Sequence, residues 1–149
     1  MKNTKPLKDY LFVTIQLLIF AAYSLPITIS TINLPEWLRY LGLFMLILAL
    51  LLALLTVAQL NKNISPFPTP VQAGKLMTTG AFSISRHPIY TGLLFSGIGY
   101  GIHQESLYKL LITFILAVLF YFKSKYEETL LSKKFPEYES YKSKTRRFI

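Results

Sequence analysis

The chain has 149 residues, 52% of them hydrophobic and only 15% charged, a length suited to one domain and a composition unsuited to a soluble one. Sixteen basic residues against seven acidic ones give a formal net charge of +9. Cysteine is absent and the histidines are only His87 and His103, which excludes disulfides, thiolate metal sites and a cysteine nucleophile and disfavours a multi-histidine metal site.

Four apolar segments follow one another. The first runs over 10–32 and is interrupted by Pro26; the second, 38–60, has no proline. Within it, Leu41 to Ala58 carries no charge and only Thr56 as a polar side chain, a run that a soluble domain cannot hide. The third covers 88–103 and the fourth 107–122, joined only by Gln104-Glu105-Ser106. These last two are short for full spans and read as a tight C-terminal helical hairpin, tilted or shielded by protein. The fold class expected is all-α, a polytopic integral membrane protein with about four transmembrane helices in a single domain. The first segment has a basic flank like a signal peptide, but three apolar segments follow and no convincing small-residue cleavage site is present, so it reads as a retained span.

Charge predicts the orientation. Lys2, Lys5 and Lys8 precede the first segment; Lys62, Lys75 and Arg86 lie between the second and third; eight more basic residues follow the fourth. Only Arg39 and Lys109 fall on the other side. The positive-inside rule then puts both termini, the 61–87 loop and the 123–149 tail in the cytoplasm, as for a bacterial or archaeal inner-membrane protein. The net charge is thus a topology and headgroup signal rather than a nucleic-acid patch. The lipid bilayer is the partner implied; no oligomeric state is.

The 61–87 loop is long for a membrane hairpin, and such loops are often functional. Pro66, Pro68 and Pro70 favour extended backbone, and Thr79-Gly80 marks a turn. Phe67, Leu76, Met77, Phe82 and Ile84 argue against a floppy linker, because they prefer burial against the bundle or in the membrane interface.

Two polar clusters flank the last two apolar segments. Arg86-His87-Pro88-Ile89-Tyr90-Thr91-Gly92 opens the third, and Glu127-Glu128 follows the fourth. Pro88 suits the first turn of a helix, whose free N–H groups and positive dipole end attract an anion, with Arg86 and His87 just before it. Tyr90 can offer a ring face to a cation. The bland alternative is an interfacial anchor, since arginine and tyrosine are common at headgroup level. A hairpin brings both clusters to one membrane surface. The adjacent acids point about 100° apart on a helix, so one is expected to face the pocket and the other the solvent or Lys123. A basic anion site, an aromatic ring and a carboxylate together suit a zwitterionic cation such as S-adenosylmethionine.

Three blocks carry a family resemblance: Leu76 to Phe82, Arg86 to Gly92, and Glu127-Glu128-Thr129-Leu130-Leu131 with Phe135, Tyr138, Tyr141 and Arg147. In this order and spacing the chain, over roughly residues 66–149, resembles the isoprenylcysteine carboxyl methyltransferase family, in the wider group that includes phospholipid methyltransferases. The resemblance implies an S-adenosylmethionine-dependent membrane methyltransferase with a cytoplasmic cofactor pocket. It implies cofactor contacts from Leu76, Met77, Phe82, His87, Pro88, Ile89, Tyr90 and Glu127. Eukaryotic members usually have histidine at Gly74 and tyrosine at Phe82. They have a substrate-associated arginine at Lys123, where lysine keeps the charge and loses the bidentate fork. Lys123, Glu128 and Arg86 are the catalytic candidates, with Glu128 the general base if the acceptor is an amine or hydroxyl. The acceptor expected is a small lipophilic molecule entering from lipid.

Gly97 and Gly101 have the small-xxx-small spacing of close helix packing. His103 reads as interfacial, at the far end. Phe135, Tyr138 and Tyr141 line one face of a short helix after Pro136, which caps the pocket or lies on the membrane. Two other function classes compete: an NAD(P)H-dependent membrane reductase akin to sterol reductases, and a non-catalytic membrane protein.

Overall fold

The computed structural model describes residues 5–72 and 74–149; Lys2, counted among the cytoplasmic charges above, lies outside them. The described chain is all-helical: α1 Leu7–Ser24, α2 Glu36–Leu60, α3 Ala81–Ile84, α4 Pro88–His103, α5 Leu107–Lys134 and α6 Tyr138–Lys144, with a 3-10 turn at Asn61–Asn63. Three of these, α1, α2 and α5, are long and apolar enough to cross a membrane. Helix α4 has 16 residues, about 24 Å, against roughly 30 Å of hydrocarbon.

The first segment is shorter as a helix than its apolar run. The residue before a proline is pushed into extended backbone, and Leu25, ahead of Pro26, has φ −66° and ψ 140°. Helix α1 therefore stops at Ser24, and the residues that follow run outside any helix to Pro35. They are stitched to the α4–α5 turn: Ile32 N–H donates to Glu105 O at 3.0 Å and Leu34 N–H to Glu105 Oε1 at 2.9 Å. The carbonyls of the last α1 turn are capped from α5, Tyr108 Oη donating to Ala22 O at 2.7 Å and Lys109 Nζ to Tyr23 O at 2.9 Å. His103 sits at this end, its Nδ1 3.3 Å from Arg39 O.

Helix α4 packs most extensively on α2, with α5 on another side. Glycine makes this closeness possible. A Cβ at Gly99 would lie 2.6 Å from the Gly42 carbonyl oxygen of α2. The Gly97 and Gly101 spacing serves the other neighbour, since a Cβ at Gly97 would meet Thr113 Oγ1 of α5 at 2.6 Å.

Helix α5 runs on past the apolar segment 107–122. At 28 residues it is about 42 Å long, about two turns more than the hydrocarbon requires. One buried stripe descends it at helical spacing: Tyr108, Thr113, Leu116, Phe120, then Lys123, Ser124 and Glu128. The face that packs apolar residues in its first half thus carries a cation and an acid in its second. Those charged residues meet the start of α4.

Candidate functional site

The α4 start is built as its sequence dictates. His87 is the N-cap residue and Pro88 takes the first helical position, where its missing N–H costs nothing. Just upstream, Gln59 of α2 holds the turn into this region. Its Nε2 donates to Thr79 O at 2.7 Å, and its Oε1 accepts from Ala81 N–H at 3.2 Å. Gly80 between them has φ +61°, the left-handed region that glycine enters freely.

The two acids of the Glu127-Glu128 pair diverge as helix geometry demands. Glu127 Oε2 accepts the Tyr90 hydroxyl at 2.9 Å and lies 3.8 Å from His87 Nδ1. Glu128 is buried and stands at the centre of a cationic cage. Its Oε1 accepts from Arg86 Nε at 2.9 Å and from Arg147 Nε at 3.0 Å, and lies 3.2 Å from His87 Nε2. Its Oε2 accepts from Arg147 Nη2 at 2.7 Å. The hydrogen bonding to Glu128 outweighs burial, which acts the other way, and raises the Arg147 pKa.

The chain after α6 returns to the same place. Arg86 N–H donates to Arg146 O at 2.8 Å and His87 N–H to Arg147 O at 3.2 Å, so 145–147 runs beside 85–87 like a parallel strand. Arg86 Nη1 donates to Lys142 O and Thr145 O, both at 2.8 Å, satisfying carbonyls at the end of α6. The Arg86 and His87 side chains, expected to hold an external anion, are thus largely engaged by Glu128 and α6.

Tyr90 is also more enclosed than its sequence position implies. Its ring stacks on His87, centroids 5.3 Å apart, and on Phe120 at 4.4 Å. The cation beside it is internal: Lys123 Nζ lies 5.3 Å from the ring centroid. Lys123 is 1% exposed, and its ammonium donates to Gln16 Oε1 at 2.6 Å and to Pro66 O at 2.9 Å. It joins α1, the proline-rich loop and α5.

A cleft opens at this end of the bundle. Leu76, Met77 and Phe82 line it from the loop; Arg86, His87, Pro88, Ile89 and Tyr90 from the α4 start; Glu127 from α5. Lys123 and Glu128 do not line it. Phe135, Tyr138 and Tyr141 close another wall, so the short helix after Pro136 lies against the cleft. Tyr141 Oη donates to Phe82 O at 2.5 Å, tying α6 to the loop. Lys134 Nζ does the same further along, at Val71 O and Gln72 O.

Three residues that sequence reasoning passed over help to shape this region. Gln59 clamps the Gly80 turn. Gln16 is the amide in the otherwise apolar middle of α1, and a polar side chain in such a run seeks a partner, here Lys123. Asp9 is fully buried, and its Oδ2 accepts from Thr69 N–H at 3.2 Å. It is the single acid in a basic flank, and that isolation is the signal that could have found it.

The phospholipid methyltransferase family model matches residues 37–138. The match takes in α2 from Trp37 on, the loop, both polar clusters and the first residue of α6; α1 and Arg147 fall outside it. Over 76 residues the chain is also 32% identical to the nickel-cobalt-cadmium resistance protein NccN of Alcaligenes xylosoxydans xylosoxydans, a stretch covering 50% of this chain and 36% of that protein. The chain therefore spans little more than a third of the length of that relative. With the matched segment containing the whole paired-acid and Arg86–Gly92 arrangement, the chain belongs to the phospholipid methyltransferase family, which includes the isoprenylcysteine carboxyl methyltransferases.

Proposed function

We propose that the protein is an S-adenosylmethionine-dependent integral-membrane methyltransferase acting on a small lipophilic acceptor. The observation that carries this reading is the convergence of the loop residues Leu76, Met77 and Phe82, the α4 start from His87 to Tyr90, and Glu127 on one cleft. The donor set fits the cofactor. The Ile89 and Tyr90 N–H groups in the first turn of α4, without partners among the described residues, suit a carboxylate. Glu127 suits an ammonium or ribose hydroxyls, and Leu60, Leu131 and Phe135 offer apolar walls to the base.

When bound, adenosylmethionine supplies an electrophilic methyl group; its transfer to a nucleophilic acceptor breaks the methyl–sulfur bond and leaves that electron pair on sulfur. The residues of this chain then have mainly to position the two partners, and orientation alone is worth several kcal/mol of barrier, about 7–11 in well-aligned cases. In this reading Arg86 and Glu128 are positioning residues. They fix the start of α4 and the 145–147 strand around the cleft, and Glu128, with both oxygens engaged, is not free to take a proton. Lys123 orients the proline-rich loop.

The acceptor's apolar part belongs in the lipid layer. A second cavity of about 320 Å³ between α1, α2, α4 and α5, lined by Phe20, Leu46, Leu93 and Leu116 among others, supports that reading. Helix α4 is the fourth span, short and shielded by α2 and α5, with both termini and the cleft on the cytoplasmic side. The family match favours methyl transfer over hydride transfer.

The test is direct. Protein purified in detergent is titrated with adenosylmethionine and, separately, NADPH, then incubated with methyl-labelled adenosylmethionine and a lipid extract. Saturable binding of adenosylmethionine and label in the lipid phase are expected. Binding of NADPH alone, or of neither, overturns the proposal.

A further inference from the structure

The hydroxyl of Tyr138 is buried and has no hydrogen-bond partner among the described residues. The residue is 1% exposed, with its ring edge-on to Tyr141 at 5.9 Å. Tyr141, one turn on, has its own hydroxyl satisfied by Phe82 O. Leaving a buried hydroxyl unpaired costs free energy, and native proteins rarely tolerate it without a reason. Tyr138 lines the cleft, so a bound molecule can supply the missing partner.

The chemistry of that partner follows from the neighbours. Burial first, and then the charge of Glu128, push the Tyr138 phenol up, so it keeps its proton and acts as a donor. Arg86 has Nε and Nη1 committed, and its Nη2 makes no hydrogen bond to the described residues. Ile89 and Tyr90, in the first turn of α4, have backbone N–H groups without helical partners. The acid nearest this corner, Glu128, has both oxygens engaged. Donors without a free acceptor describe an anion site. Across the cleft Glu127 offers a carboxylate, which places a cation site beside it.

We propose that the Tyr138 hydroxyl, with the open first turn of α4, receives the carboxylate at the amino-acid end of the bound methyl donor. The inference rests on the adenosylmethionine reading above and adds to it the residue that recognises one end of that molecule. Tyr138 is the last position of the matched family segment.

The test compares adenosylmethionine with decarboxylated adenosylmethionine, which keeps the adenosine, the sulfonium and the amine. Both are titrated calorimetrically into parent protein and Tyr138→Phe in detergent. The substitution keeps the ring against Tyr141 and removes only the donor. Affinity for adenosylmethionine should fall about tenfold, the scale of one hydrogen bond to a charged group. Affinity for the decarboxylated compound should change less than about twofold on the same scale. Equal losses for both would make Tyr138 a packing residue, and no loss for either would make its hydroxyl irrelevant; each overturns the inference. Parent protein that binds neither compound overturns the adenosylmethionine reading itself, so the two failures are distinct. Thermal unfolding checks that the variant is folded, and Tyr138→Met, which also lacks the donor, should give the same discrimination.

Discussion

Arg147 grips Glu128 side-on with one edge of its guanidinium, Nε to Oε1 at 3.0 Å and Nη2 to Oε2 at 2.7 Å. The same carboxylate meets Arg86 and His87 at the opening of α4. One acid on α5 therefore fastens three pieces of chain: its own helix, the α4 start and the strand 145–147. Bidentate pairing of this kind adds geometric specificity to charge, and here the geometry it sets is that of the cleft wall.

The neighbouring acids should fail differently. Glu128→Ala leaves Arg86 buried beside an empty cage, and removing one partner of a buried pair costs about 3–5 kcal/mol. Its main readout is a lowered unfolding temperature. Glu127 is partly exposed and faces the cleft, so Glu127→Ala should cost little stability and weaken adenosylmethionine binding by about 1–2 kcal/mol. His87→Ala, which touches both acids, should show both effects. A Glu128→Ala variant as stable as the parent would contradict the assignment.

Deleting residues 145–149 removes the backbone partners of Arg86 and His87 and the Arg147 fork together. Helical content should persist, because α1, α2, α4 and α5 pack without this strand. Cofactor affinity should drop by at least about tenfold, read by calorimetry alongside circular dichroism. Unchanged affinity would mean that the strand is a passive tail.

Lys123 distinguishes packing from substrate contact. Its ammonium bonds Gln16 and the Pro66 carbonyl. Lys123→Met should therefore lower stability by about 1–3 kcal/mol, since two part-buried acceptors lose their charged donor. Gln16→Leu should cost less on the Lys123→Met background than on the parent, because the two residues share one interaction. If Lys123→Met unfolds like the parent yet loses methyl transfer, Lys123 touches the acceptor instead.

Close helix approach makes Gly99 a sensitive position. Gly99→Ala would drive a methyl against the Gly42 carbonyl and the Leu46 backbone of α2. A backbone cannot rotate away as a side chain can, so a loss of about 1–3 kcal/mol is expected in denaturation. A neutral outcome would mean that α2 and α4 sit further apart.

The absence of cysteine makes topology easy to read. Single cysteines at Gly74 and Ser143 should react with an impermeant maleimide only from the cytoplasmic side, and one at Gln104 only from the opposite side. Opposite accessibility of Gly74 and Ser143 would separate the loop from α6, which Tyr141 and Phe82 join.

The sequence by itself determined the elements that depend on local rules. The uncharged run from Leu41 to Ala58 could only be a span-like helix, Pro88 had to start α4, and the three-residue link had to return α5 antiparallel to it. Pro26 was equally readable as the stop of α1, and the apolar residues beyond it hid that signal, because hydropathy does not record which backbone can be helical. The gathering of Arg86 to Tyr90 with Glu127-Glu128 at one end followed from the hairpin. Only the tertiary structure decided how those charges are used. Arg86, His87, Lys123 and Glu128 look alike in sequence, as polar residues near a pocket. Three-dimensional packing spends all four largely on one another, on α1, or on the strand 145–147, because a charge withdrawn from water must find partners within hydrogen-bond reach. Tyr138 is the converse case: an aromatic residue in a repeated pattern whose hydroxyl, once α6 docks, is left buried, without a partner among the described residues, and beside the cleft.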